Sequence, residues 1–96
     1  MILRVKYSSK FKKSLKLAVK RGLEISLLEQ VVIKIQRMET LDDRYKDHEL
    51  KGRYKGYREC HIQPDWLLIY LIEEDILTLT LVDTGSHADL LFKIKA

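Results

Sequence analysis

The chain has 96 residues, 33% charged and 46% hydrophobic, with a formal net charge of +4 and one cysteine. That length suits a single domain over residues 1–96, which buries roughly 60–70% of its unfolded surface. The lone Cys60 excludes an intrachain disulfide, and the longest apolar run, Trp66 to Ile72, is far short of the ~20 residues that span a bilayer.

The opening MILRVKYSSK lacks the apolar stretch and small-residue cleavage site of a secretory signal, so a cytoplasmic protein with no membrane partner is expected. The charge is unevenly spread. Eight Lys or Arg and no Asp or Glu fall between Met1 and Leu23, a one-signed segment that attracts a polyanion or an acidic protein.

Ile2 to Tyr7 alternates as a strand, with Leu3, Val5 and Tyr7 on one side. Ser8 or Ser9 caps a helix to about Arg21, and Gly22 stops it. Its apolar stripe is Phe11, Leu15, Ala18 and Val19; Lys13, Lys16 and Lys20 lie opposite. Ser26 and Glu29 have capping-box spacing at the start of a second helix ending near Glu39. Leu28, Val31, Val32, Ile35 and Met38 form its buried face. A polar loop from Thr40 to Glu49 follows.

The period then changes. Tyr57 to Ile62, Trp66 to Glu73 and Ile76 to Val82 read as strands, with turns at Pro64-Asp65 and Glu74-Asp75. The expected fold is α+β, in the order strand, helix, helix, strand, strand, strand. Short links predict an antiparallel sheet packed by one face on the two N-terminal helices. The other face stays free for a cleft.

Alternation puts Tyr57, Glu59 and His61 on one side of their strand. With Cys60 and Ile62 toward the helices, His61 faces the open side. Asp65 follows at the next turn, and His87 comes after a flexible Thr84-Gly85-Ser86. Histidines near a carboxylate and many cations suit proton transfer on an anionic substrate.

Two blocks, YKDHELKGRYKGYRECHIQPDWLLIY (Tyr45 to Tyr70) and TGSHADL (Thr84 to Leu90), resemble the YafQ branch of the RelE superfamily of bacterial type II toxins. The element order and basic first helix extend the likeness along nearly the whole chain. The resemblance implies a RelE/ParE-like fold and a ribosome-dependent messenger-RNA endoribonuclease without cofactor. It also implies a cognate antitoxin of the DinJ or RelB kind, with operator DNA bound only through that antitoxin.

The family's active-site histidines fall on His48, His61 and His87, and its aspartate after proline on Asp65; Trp66 also matches. Two positions depart from the pattern. Asp83 stands where an arginine is common, which takes a positive charge from the scissile phosphate. The terminal aromatic is displaced by one, to Phe92.

RNA supplies its own nucleophile, the 2′-hydroxyl, so the reaction needs only a base, an acid and cations. Asp65 or His48 serves as base, His87 as acid, and His61 holds the phosphate or tunes a neighbour. Lys51, Arg53 and Lys55, with Lys13, Lys16 and Lys20, supply cationic contacts to RNA, and Trp66 and Phe92 supply aromatic ones. A zinc site built from the same His and Asp residues is a rival, without short His–His or Cys–Cys spacing to support it. A non-catalytic member that binds RNA or antitoxin in an autorepressing complex is the alternative function, and Asp83 is the feature that favours it. A ParE-type gyrase poison ranks last, because that type lacks this His and Asp set.

Overall fold

The computed structural model describes residues 1–90. Strand β1 (Arg4–Tyr7) leads into helix α1 (Ser9–Lys20). The helix begins where the Ser8 hydroxyl accepts the Phe11 N–H at 3.0 Å. It ends at Gly22, whose φ of 76° lets Gly22 and Leu23 donate back to the carbonyls of Val19 and Ala18.

Helix α2 (Ile25–Gln36) departs from expectation at both ends. Glu24 precedes the helix and makes no side-chain cap, so Ser26 already lies inside the first turn and the Ser26–Glu29 capping box does not form. At the far end Met38 takes the left-handed position, φ 61°. Met38 and Glu39 then donate to the carbonyls of Ile35 and Lys34, a closure usually made by glycine. Met38 is therefore exposed rather than core. Val19 is exposed too, because Phe11, Leu15 and Ala18 already cover the arc of α1 that meets the sheet.

Strands β2 (His48–Glu49), β3 (Arg58–Gln63), β4 (Trp66–Glu73) and β5 (Thr78–Gly85) follow. The sheet order is β1-β5-β4-β3-β2. The three-strand meander is antiparallel as expected and is extended by the short β2. β1 adds a parallel pairing along β5, which its long connection through the helices and β2–β4 permits. β5 starts at Thr78 rather than Ile76, because Glu74–Ile76 form a 3₁₀ turn closed by Leu77 at φ 49°.

Both helices pack on one face, over a core that includes Phe11, Val31, Ile35, Cys60, Trp66 and Tyr70. Burial pushes the Cys60 thiol up to about 12, which makes it a packing group rather than a nucleophile. The opposite face is less open than expected. Leu50, Leu67, Ile69 and Leu90 form a second small core there, flanked by Tyr54, Tyr57 and Val82. No helix among the described residues is long and apolar enough to cross a membrane.

Candidate active site

The short β2–β3 pairing sets His48 opposite Glu59, and alternation puts His61 on the same face of β3 two residues on. Cys60 and Ile62 enter the helix-side core, so His61 faces away from the helices, as expected. A bulge lies between His61 and Gln63; bulges re-aim side chains next to active sites. Beyond it, the β3–β4 turn presents Asp65 to His87. Asp65 Oδ1 accepts the His87 backbone N–H at 2.9 Å and lies 2.6 Å from His87 Nδ1. The His61 and His87 rings are edge to face, centroids 5.4 Å apart. The resulting row is His48, Glu59, His61, His87, Asp65.

Hydrogen bonding sets the working nitrogen at each end of the row. An ionised carboxylate only accepts, so His87 Nδ1 donates to Asp65 and Nε2 takes no part in that bond. The two His87 bonds hold the Asp65 carboxyl below the usual range. His48 Nδ1 donates to the Lys46 carbonyl at 2.7 Å, leaving Nε2 3.6 Å from Glu59 Oε1. At that distance the ring is not hydrogen-bonded but feels the charge. Glu59 is buried and its other oxygen, Oε2, has no partner among the described residues. Burial lowers the His61 proton affinity, and the neighbouring His87, Lys46 and His48 add to this against the opposing pull of Glu59. His61 is therefore biased toward the neutral ring near neutral pH.

The turn carrying His87 is built, not flexible. Thr84 and Gly85 belong to β5, and Ser86 opens a helical turn over residues 87–90. Asp89 donates its N–H to the Ser86 hydroxyl at 3.1 Å and accepts the Ser86 N–H at 2.9 Å, a reciprocal capping box. Arg21, at the end of α1, clamps Asp89 through both carboxylate oxygens at 2.6 and 3.2 Å. Gly85 makes room for this, because a Cβ there would sit 2.9 Å from Asp89 Cβ. Arg21 and Asp89 thus tie the basic helix to the His87 turn.

The clamp gives a pH-dependent prediction. The Arg21 bond, followed by those from Ser86, holds the Asp89 carboxyl far below its ordinary value. A depressed folded-state value contributes stability in full above about pH 4, and this is lost as the pH falls further. Arg21→Gln should therefore lower the Tm near neutral pH, with the gap to wild type narrowing below about pH 4. Melting curves across pH check this; a gap independent of pH would leave the pair with packing alone.

At the other end, the Asp47 carboxylate anchors the segment before His48. It accepts from Arg58 Nη2 at 3.0 Å and from the Tyr70 hydroxyl. Burial, followed by Asp47, pushes the Tyr70 phenol up, so it stays a donor. Asp47 and Arg58 carry no spacing signal in the sequence, whereas Glu59 shares the His61 face by alternation without being picked out as a site residue. Sequence reasoning also missed Asp89, although Ser86 and Asp89 have capping-box spacing.

Lys13, Lys16 and Lys20 are exposed along α1, and Lys51, Arg53 and Lys55 are exposed around the turn at Gly52–Tyr54. Trp66 is corrected as an RNA contact: it is 2% exposed and its indole N–H is given to Thr84 Oγ1 at 2.9 Å. Asp83 is buried rather than facing a phosphate. It is 2% exposed, and its Oδ1 accepts from Ser14 Oγ at 2.6 Å and from the Thr84 N–H at 2.9 Å. Phe92 lies outside the described residues.

Residues 3–92 match the sequence family described as bacterial toxin of type II toxin–antitoxin system, YafQ. The mRNA interferase toxin YafQ of Escherichia coli K12 is 39% identical over 87 residues, covering 90% of this chain and 92% of that protein. A metal-bound toxin from Helicobacter pylori superposes with a TM-score of 0.88 at 46% identity, over 93% of this chain and 99% of its own. The toxin–antitoxin complex of E. coli DinJ and YafQ gives 0.85 at 36% identity, over 94% and 98% of the two chains. Among the described residues here, no three His, Cys, Asp or Glu side chains converge as metal ligands.

Proposed function

The chain belongs to the YafQ family of bacterial type II toxins, and on that premise we propose that it is a ribosome-dependent endoribonuclease that cleaves translated messenger RNA. The observation that carries this reading is the row of two histidine–carboxylate pairs, His48–Glu59 and His87–Asp65, flanking His61.

His48 Nε2 takes the proton of the 2′-hydroxyl, and the buried Glu59 carboxylate stabilises the imidazolium that forms. The 2′-oxygen bonds to phosphorus, and the bond from phosphorus to the 5′-oxygen breaks. Protonated His87 gives its Nε2 proton to that oxygen, leaving a cyclic phosphate and a 5′-hydroxyl. His61 donates one N–H to the phosphate from the middle of the row. Asp65 orients His87 rather than acting as base, because its lowered pKa makes it a poor proton acceptor.

The ribosome supplies the substrate alignment that so small a protein lacks, and the α1 lysines meet ribosomal RNA. Replacing Lys13, Lys16 and Lys20 with Gln should weaken ribosome association and flatten its salt slope by ~0.7–0.9 for each phosphate that a lysine no longer neutralises. Binding titrations at several salt concentrations check this; an unchanged slope would take that face off the RNA. A DinJ-like antitoxin covers the basic surface or the cleft with an acidic or amphipathic segment, captured quickly by opposite charge. Operator DNA is reached only through that antitoxin.

Cleavage of a translated message by antitoxin-free protein, with and without ribosomes, tests the function. Cuts that require ribosomes agree with it, and no cuts in either case would leave the non-catalytic alternative. Asp83 is buried on Ser14 and Thr84, so the feature that favours that alternative is the missing arginine and not a repelling aspartate.

A further inference from the structure

We propose that the groove between α2 and the turn at residues 44–46 is a subsite for the RNA nucleotide adjacent to the cleaved bond. Its contacts are Lys46 to the phosphate, Arg44 and Tyr45 as the platform for the base, and Gln30 and Gln63 to the base edge. The proposal rests on the ribonuclease reading and names residues outside the row that carries it.

The groove encloses about 610 Å³ and is bordered by His61 and His87 themselves. That volume is in the range of small-ligand sites, and the groove is continuous with the row of histidines. One wall is α2 with Gln30, the other the turn Asp43–Tyr45 and Lys46, and the strip after the β3 bulge carries Gln63. The platform is ordered before any ligand arrives. Tyr45 is half-buried against the helix-side core, the Arg44 guanidinium lies 4.8 Å above its ring centroid, and Arg44 Nη2 donates to the phenol oxygen at 2.8 Å. A guanidinium plane fixed on a packed ring is a stacking surface for a base, and it carries a positive charge.

Lys46 links the groove to the chemistry. It lines the groove, its charge reaches His61, and its carbonyl holds His48 Nδ1. A phosphate drawn to Lys46 would thus arrive beside both rings. Gln30 and Gln63 are exposed and on different walls, and neither side-chain amide makes a hydrogen bond among the described residues. Each offers an amide donor and an acceptor without charge, which suits base edges rather than phosphates. The Lys51–Lys55 turn has cations but none of these uncharged amides.

Two measurements test the subsite. The first follows ¹⁵N-labelled free toxin titrated with a trinucleotide carrying a 2′-deoxy residue at the cleavage position, so that binding is read without cleavage. Shifts at the Gln30 and Gln63 side-chain amides and at Lys46 are expected, and they weaken in Arg44→Ala. Shifts confined to the Lys51–Lys55 turn, or none in the groove, would overturn the proposal. The second measures single-turnover rates on ribosomes programmed with messages that differ only in the nucleotides flanking one cut. Gln63→Ala or Gln30→Ala should narrow the spread of rates among messages by about five- to tenfold, the effect of removing one hydrogen bond, with the Tm unchanged. A spread identical to wild type would exclude both amides as readers of the base. Wild-type protein that shifts in the groove yet cuts nothing would refute the nuclease reading and with it the subsite's place beside a cleaved bond, leaving the groove as an RNA-binding site only.

Discussion

Replacing His87 with alanine is expected to abolish RNA cleavage and growth arrest while leaving the fold intact. The His87 side chain is 58% exposed, so its removal opens no cavity in the core. The turn that carries it is held by backbone and neighbouring groups: the Ser86–Asp89 capping box, the Arg21 clamp and the His87 N–H to Asp65. All of these survive the substitution. What disappears is the one imidazole whose Nδ1 is fixed on a carboxylate and whose Nε2 is free for the leaving oxygen. A positioned acid typically contributes ~10²–10⁴-fold, so single-turnover rates should fall by at least two orders of magnitude, at a wild-type Tm and with antitoxin binding retained. Cleavage at the wild-type rate would remove His87 from the mechanism and, with it, Asp65.

Much of this arrangement is legible in the sequence, for reasons that can be traced residue by residue. The stop at Gly22, the strand alternation that turns His61 away from Cys60 and Ile62, and the meander of β3 to β5 all follow from local rules. The sequence is less informative where two local signals compete. Ser26 and Glu29 have capping-box spacing, but Ile25 already packs against the core, so the helix starts before Ser26 and the box is bypassed. Ser86 and Asp89 have a similar spacing and do form the box, because the turn there must leave a strand and begin a helix. Trp66 shows the limit of a motif match. Its position beside Asp65 suggests an RNA contact, but β4 buries every residue from Trp66 to Tyr70, and the unbroken apolar run from Trp66 to Ile72 is the sequence pattern of a strand covered on both faces. Alternation puts Glu59 on the His61 face, but only the β2–β3 register brings His48 to it, and only the approach of Arg58 and Tyr70 gives Asp47 a role.

Asp83→Arg should destabilise the protein and lower its activity, the opposite of what the family pattern alone suggests. That pattern places an arginine at this position, and a cation near the scissile phosphate would speed cleavage if residue 83 could reach it. Here the residue is 2% exposed and its Oδ1 serves two donors, the Ser14 hydroxyl on α1 and the Thr84 N–H. Thr84 in turn holds the Trp66 indole and donates to the Leu67 carbonyl, so the damage would spread along β5 toward the His87 turn. Leaving the buried Thr84 N–H and the half-buried Ser14 hydroxyl without this acceptor costs ~1–3 kcal/mol, and an unpaired buried cation adds ~3–5 kcal/mol. At ~4–8 °C per kcal/mol for a domain of this size, the Tm should fall by at least about 10 °C. Asp83→Asn keeps an oxygen for both donors and serves as the control, with a Tm within a few degrees of wild type and cleavage retained. Thermal melts and single-turnover rates of the two variants on programmed ribosomes decide the matter. An arginine variant that stays folded and cuts faster than wild type would mean that residue 83 swings out to the phosphate, and that its burial by Ser14 and Thr84 belongs only to the substrate-free protein.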